Sequence, residues 1–247
     1  MSHIVTHSNG SKNKKSSNGS IVIIVSLLSV VALLFGLNYF FSKQNKNNTE
    51  SVTKVIDNRY TIGDQNAKIK LVEYADFQCP ACAVFSSVFP EVFNYINEKY
   101  GSTTLSLTYK YFPLITIHKN ALLSAYSVEA AKEQGKFWEM HDILFEKQSE
   151  WSEALDAKAK IEEYAKELGL DISKFITDRD SDIVKDTVNR ALIEATRLEL
   201  NHTPTIFMNG EEIKNMSLSA KDIEKIIEDK LNGSSFSSSV PTTLLND

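Results

Sequence analysis

Cys79 and Cys82 are the only two cysteines in 247 residues, and they lie close together in the stretch EYADFQCPACAVF, residues 73–85. Two thiols at this spacing can act as a staple, as part of a metal clamp or as a reactive pair. A disulfide between them closes so short a loop that it constrains the unfolded chain little, which weakens the staple reading. A structural zinc site needs four ligands, usually two such pairs. The sequence has no second pair, and none of His3, His7, His118, His141 and His202 completes a clamp. A Cu(I) site on two thiolates stays open, because soft sulfur ligands select that ion.

The reactive reading draws on helix chemistry. Pro80 suits the first position of a helix, where its missing N–H costs nothing. Cys79 then stands just outside the helix and Cys82 within its first turn. Unsatisfied N–H groups and the positive dipole end favour a thiolate at Cys79, the nucleophilic form. The expectation is an exposed, attacking Cys79 and a shielded, resolving Cys82.

Two more features bear on this chemistry. Glu73 sits six positions before Cys79, on the strand that feeds the helix. It is either an acid buried under the pair, relaying a proton to or from Cys82, or a surface acid at a strand end. The other feature is Thr203-Pro204, ahead of a strand pattern. Proline cannot serve a ladder donor position. A cis bond there would leave the Thr203 backbone free to pair with an extended substrate, although a Thr-Pro dipeptide by itself is more often trans. His202 is read as a loop residue, with a place near the sulfurs as the alternative.

Hydropathy patterns supply the elements that must position these groups. Residues 68–74, KIKLVEY, read as a strand buried on both faces. A helix follows from Pro80, with Val84, Val88, Val92 and Ile96 recurring every four residues beside Phe85, Phe89 and Phe93. Pro90 is expected to kink it, and Gly101 to stop it. Leu105, Leu107, Tyr109 and Tyr111 alternate with Ser106, Thr108 and Lys110 as in a strand. Residues 119–200 are helical throughout, with helices ending near Gly135, over 137–147, 157–168 and 181–200, and a short one over 172–178. His118 and His141 are read as packing or surface residues, and Phe137, Trp138 and Phe145 as core. Glu162, Glu163, Lys166 and Glu167 form a solvated face. Asn209-Gly210 marks a hairpin, and residues 219–232 a last amphipathic helix capped by Ser219, with Asp222 completing a capping box. Its stripe is Ile223, Ile226, Ile227 and Leu231.

Outside this core the chain changes character. Residues 1–20 are polar and read as disordered. Residues 21–41, IVIIVSLLSVVALLFGLNYFF, carry no charge and are long enough to span a bilayer as a helix. A cleaved signal peptide would have a shorter apolar run. No cysteine follows the run, so a lipid-modified terminus is out. Lysines before and after the span balance, so the positive-inside count is a tie. The short leading tail favours a signal-anchor with the large domain outside. Residues 42–58 read as a polar linker and 233–247 as a loose tail. The net charge is −5, and the three lysines of residues 1–41 leave −8 on the remainder. An acidic body argues against nucleic acid as partner.

The strand ending in EYADFQCPAC and its helix, the helical block HKNALLSAYSVEAAKEQGKFWEMHDILFEKQ and the segment TPTIFMNG, in this order, resemble the DsbA-like thiol:disulfide oxidoreductases of the thioredoxin superfamily. The resemblance covers roughly residues 60–232. It implies an α/β thioredoxin fold over 59–232 with an inserted helical subdomain at about 119–200, here preceded by a single N-terminal transmembrane helix. It further implies Cys79 as nucleophile, Cys82 as resolving thiol, Pro204 as cis-proline behind Thr203, and Glu73 at the buried acid position. No cofactor or metal is called for. The implied partners are extended proteins with free thiols and a membrane quinone-linked oxidase, with lipid contacting residues 21–41. The expected location is the cell membrane, single-pass, with the catalytic domain extracytoplasmic. Pro80-Ala81 departs from the many strong oxidants of the family that carry His between the cysteines. A reductase or isomerase using the same pair, a Cu(I) metallochaperone and a non-catalytic peptide-binding domain are the alternatives.

Overall fold

The computed structural model describes residues 60–233. The expected tail, span and linker over residues 1–58, the expected domain start at Arg59, and the tail beyond Gly233 lie outside the described residues. Among the described residues no helix is long and apolar enough to cross a membrane.

A short β1 (Thr61–Gly63) precedes β2 (Ile69–Ala75), α1 (Pro80–Tyr100) and β3 (Leu105–Tyr111). β2 and β3 pair in parallel, with Ile69 opposite Leu105 and Ala75 opposite Tyr111, and α1 makes the crossover between them. β4 (Thr205–Met208) runs antiparallel to β2, and β5 (Glu211–Glu212) antiparallel to β4. β1 lies antiparallel on the far side of β3, giving the order β1-β3-β2-β4-β5. The β4–β5 hairpin turns on Asn209 and Gly210, both at positive φ (51° and 86°), as a two-residue Asn-Gly turn requires.

Between β3 and β4 the chain makes six helices: α2 (Ala121–Lys132), α3 (Phe137–Glu146), α4 (Gln148–Trp151), α5 (Ala157–Glu167), α6 (Ile172–Arg179) and α7 (Asp182–Arg197). α8 (Ala220–Leu231) closes the described chain, with the Ser219 hydroxyl accepting from the Asp222 N–H. The expected order of elements is therefore present. β1 and α4 are additions that three- and four-residue patterns are too short to announce.

Packing corrects the sequence expectations at several positions. Val84 is 47% exposed, and the buried stripe of α1 is Cys82, Phe85, Phe89, Val92 and Ile96. A run of strict four-residue steps drifts about 40° per step around a helix, whereas alternating three and four holds one face. Of the expected α8 stripe, Ile223 and Ile227 are buried and Ile226 and Leu231 only partly so. In β3, Ser106 and Thr108 are buried despite their polarity. β3 lies between β1 and β2, and Thr108 meets Thr61 hydroxyl to hydroxyl at 2.9 Å. Pro90 lies inside α1, and the helix runs on through it to Tyr100.

Two cores result. One places α1 and α8 against the sheet through Phe85, Phe89, Ile96, Leu71, Ile206 and Ile227. The other joins the inserted helices to the end of the sheet and contains Cys79, Cys82, Phe77, Tyr109, Met140 and Trp151. Phe137 and Phe145 belong to that second core, and Trp138 packs against it. Along α5, Glu163, Lys166 and Glu167 are exposed, but Glu162 accepts from Arg179 at 2.7 Å, and Arg179 is fully buried.

Candidate active site

β2 ends at Ala75, and residues 76–79 carry the chain to the start of α1. Cys79 is the residue before the helix, in extended conformation (φ −77°, ψ 121°), with Pro80 in the first turn. No side chain caps the helix. The first-turn N–H groups of Ala81 and Cys82 favour the thiolate of Cys79 instead. Both cysteines are free thiols. Cys79 is 7% exposed and Cys82 0%. The expected order of access holds, but Cys79 is far more covered than an exposed nucleophile would be.

Thr203 contributes from the other side. The Thr203–Pro204 peptide is cis, and the Cys79 thiol donates to the Thr203 carbonyl at 3.3 Å. The Thr203 hydroxyl is buried without a hydrogen-bond partner. Toward a Cys79 thiolate it becomes a donor.

These surroundings hold the Cys79 thiol down at about 5. A hydrogen bond from Cys82 leads, burial opposes it, and the Thr203 hydroxyl and the N–H groups of Cys82 and Ala81 add to it. Cys82 moves the other way, well above the ordinary thiol range, through burial first, then its hydrogen bond to Cys79 and the charges of Glu73 and Cys79. The two thiols are thus driven apart by position alone.

Glu73 is not a surface acid. It is 1% exposed, on β2 between Tyr109 of β3 and Ile206 of β4, and its Oε1 has no partner. Burial, and secondly the Cys79 charge, push its carboxyl up to about 8. Tyr109 feels the same group: burial and then the charges of Glu73 and Cys82 raise its hydroxyl.

Several residues of the site have no local signature that marks them. The buried Asp76 carboxylate accepts from the Gln78 N–H and the Leu114 N–H, each at 2.8 Å, and faces His118 Nδ1 at 2.7 Å. His118 is therefore a partner of the loop before Cys79 rather than a bystander. The Gln78 amide donates to the Ser152 carbonyl (2.7 Å) and to Glu153 (2.9 Å) and accepts from the Asn120 N–H (2.8 Å). Gln148 Nε2 donates to the carbonyls of Phe77 and Cys79. Only Asp76-Phe77-Gln78 carries a cue, an Asx-turn pattern that points to the Asp76–Gln78 bond; nothing local points to Gln148. His202 is exposed and bonds Asn201. His141 is buried among Phe77, Tyr109, Phe137, Trp138 and Phe145. Among the described residues no three His, Cys, Asp or Glu side chains gather as a metal site.

A dithiol at the head of a βαβ crossover, with a cis-proline loop across from it and a helical insertion between β3 and β4, defines a DsbA-like member of the thioredoxin superfamily. The thioredoxin family model matches residues 54–229, and the chain belongs to that family. Two solved structures share the architecture. BdbD from Bacillus subtilis is 25% identical with a TM-score of 0.60, over 72% of this chain and 96% of that one. Wolbachia pipientis alpha-DsbA1 is 19% identical with a TM-score of 0.60, over 71% of this chain and 92% of that one. A Na(+)/H(+) antiporter NhaA of Mycolicibacterium vanbaalenii is 36% identical over 160 residues, which are 62% of this chain and 24% of the antiporter. The chain thus spans about a quarter of the length of that relative.

Proposed function

We propose that the protein is a membrane-anchored thiol–disulfide oxidoreductase that introduces disulfides into extended secreted or surface proteins. The observation that carries this reading is the unequal pair: Cys79 held down at about 5 beside Cys82 held well above its ordinary value. A low-pKa thiolate stabilises the reduced enzyme, and that makes its disulfide an oxidant.

In the oxidising direction a substrate thiolate attacks the Cys79 sulfur of the Cys79–Cys82 disulfide. The S–S bond breaks, Cys82 leaves with the electron pair, and a mixed disulfide forms on Cys79. Cys82 then takes up a proton, for which Glu73, protonated below about 8, is the buried source. A second substrate thiolate attacks the substrate sulfur of the mixed disulfide and expels Cys79 as a thiolate. The substrate is oxidised by two electrons, and the enzyme ends as dithiol. The cis-proline loop offers the Thr203 backbone to an extended chain.

Turnover requires an acceptor for those electrons, here a quinone-linked membrane oxidase, with residues 21–41 in the lipid and the domain extracytoplasmic. The reduction potential tests the direction. A value near about −120 mV supports an oxidase, and one near about −270 mV a reductase. Protease access to the domain in spheroplasts tests the topology. Digestion without lysis is expected, and protection contradicts it.

A further inference from the structure

The loop of residues 76–79 decides where the Cys79 sulfur points, and the inserted helices hold that loop through an amide. Gln148, the first residue of α4, stands 69 positions from Cys79 in the chain. Its Nε2 donates to the Phe77 carbonyl at 2.7 Å and to the Cys79 carbonyl at 3.0 Å. Both partners are acceptors only, so chemistry alone sets which end of the amide faces the loop. Both amide hydrogens are then committed, one to a carbonyl on each side of Gln78.

Cys79 has two geometric tasks. Its carbonyl accepts the Ala83 N–H at 3.2 Å and so begins the helix. Its sulfur meanwhile meets the Thr203 carbonyl at 3.3 Å, and the N–H groups of Ala81 and Cys82 favour its thiolate. A turn about the backbone torsions of Gln78 or Cys79 would swing the sulfur away from those N–H groups. No side chain caps α1 to prevent it. Asp76 fixes the entry of the loop, through the Gln78 N–H and, by its carbonyl, the Cys79 N–H at 3.0 Å. Gln148 fixes the exit.

We propose that Gln148 is a positioning residue for Cys79, gripping the Phe77 and Cys79 carbonyls so that the sulfur stays over the first turn of α1. It touches neither sulfur and acts through the backbone. The consequence follows from the chemistry of the site. Without the grip the sulfur samples orientations in which the first-turn N–H groups no longer stabilise its thiolate. This inference rests on the exchange reading above for its functional meaning, but its physical content is separable.

The test uses the full-length protein with Gln148→Met, which keeps the length of the side chain and removes the donors. Two quantities are read against wild type: the pH midpoint of Cys79 alkylation and the equilibrium with glutathione. The expected result is a midpoint higher by about one unit, with melting of the oxidised protein little changed. A tenfold loss of thiolate stabilisation lowers the reduction potential by about 30 mV. Gln148→Asn, one methylene short of both carbonyls, is read in place of Met if the latter does not fold, with the same direction expected. A folded variant whose midpoint and potential match wild type overturns the proposal. If wild type itself fails to exchange with glutathione, the proposed function falls, while the alkylation midpoint still decides the role of Gln148.

Discussion

The hydrogen bond from Cys82 is the leading cause of the acidity of Cys79, and it can be removed without touching the nucleophile. Cys82→Ala deletes the donor, while Cys82→Ser keeps a hydroxyl in its place. A hydrogen bond to a charged group contributes about 1.5–3 kcal/mol. At 1.36 kcal/mol per unit, this corresponds to about one to two units of pKa. Cys79 in the alanine variant should therefore titrate at roughly 6–7, against about 5 in wild type. At pH 6 the wild-type thiol is roughly nine-tenths ionised, and one titrating near 6.5 roughly a quarter. The serine variant should stay within about half a unit of wild type. The assay is the rate of iodoacetamide alkylation across pH. It reports Cys79 alone in both variants and chiefly Cys79 in wild type, where Cys82 is fully buried. Coincident midpoints for the alanine and serine variants would refute the assignment to this bond. A midpoint near the ordinary 9 in wild type would refute the whole account of the thiolate.

Three further outcomes follow from other parts of the structure. Glu73 has its folded pKa raised from 4.5 to about 8, so the fold binds a proton that the unfolded chain releases. Wild-type stability therefore falls as pH rises through that window, by at most about 5 kcal/mol. In denaturant titrations of the reduced proteins, Glu73→Gln should gain on wild type between pH 4.5 and 8 and hold a constant lead above; a gap independent of pH would contradict this. Glu129 and Lys132 form a buried ion pair that also binds the hydroxyls of Tyr60 and Tyr111. Glu129→Ala strips Lys132 of its fully buried counter-charge and should cost about 3 kcal/mol in chemical denaturation, whereas a loss below about 1 kcal/mol would show the pair to be idle. Gly63 has φ +87°, and a Cβ there would lie 2.5 Å from the Leu105 carbonyl. Gly63→Ala should cost about 1–3 kcal/mol and lower the melting temperature, and an unchanged melting curve would rule out this close approach of β1 to β3.

Local physics makes a large part of the molecule legible in its sequence. The hairpin follows from Asn209-Gly210, the cap of α8 from Ser219, and the start of α1 from Pro80, because each depends on neighbours within a few residues. The order of strand, helix, strand, helical block, hairpin and helix follows from the periodicities of two and 3.6. The unequal roles of Cys79 and Cys82 follow in outline from their places at a helix start. Where the periodicity misleads, as at Val84 and at Ser106 and Thr108, the missing quantity is which face another element covers.

Tertiary structure alone decided the rest of the site. Whether Glu73 lies at the surface or in the interior depends on β3 and β4 flanking it in the sheet, and burial then sets its proton affinity. Thr203 reaches Cys79 from 124 residues away and Gln148 from 69. A glutamine bonding two carbonyls leaves no trace in composition or spacing. The sequence by itself determined that this chain carries a reactive dithiol at the head of a helix. The hydrogen bond from Cys82 and the first-turn N–H groups act on that thiol locally, but only tertiary structure decided how deeply it is buried and that the Thr203 hydroxyl joins them, because a pKa responds to every charge, donor and buried surface around the group, wherever in the chain these originate.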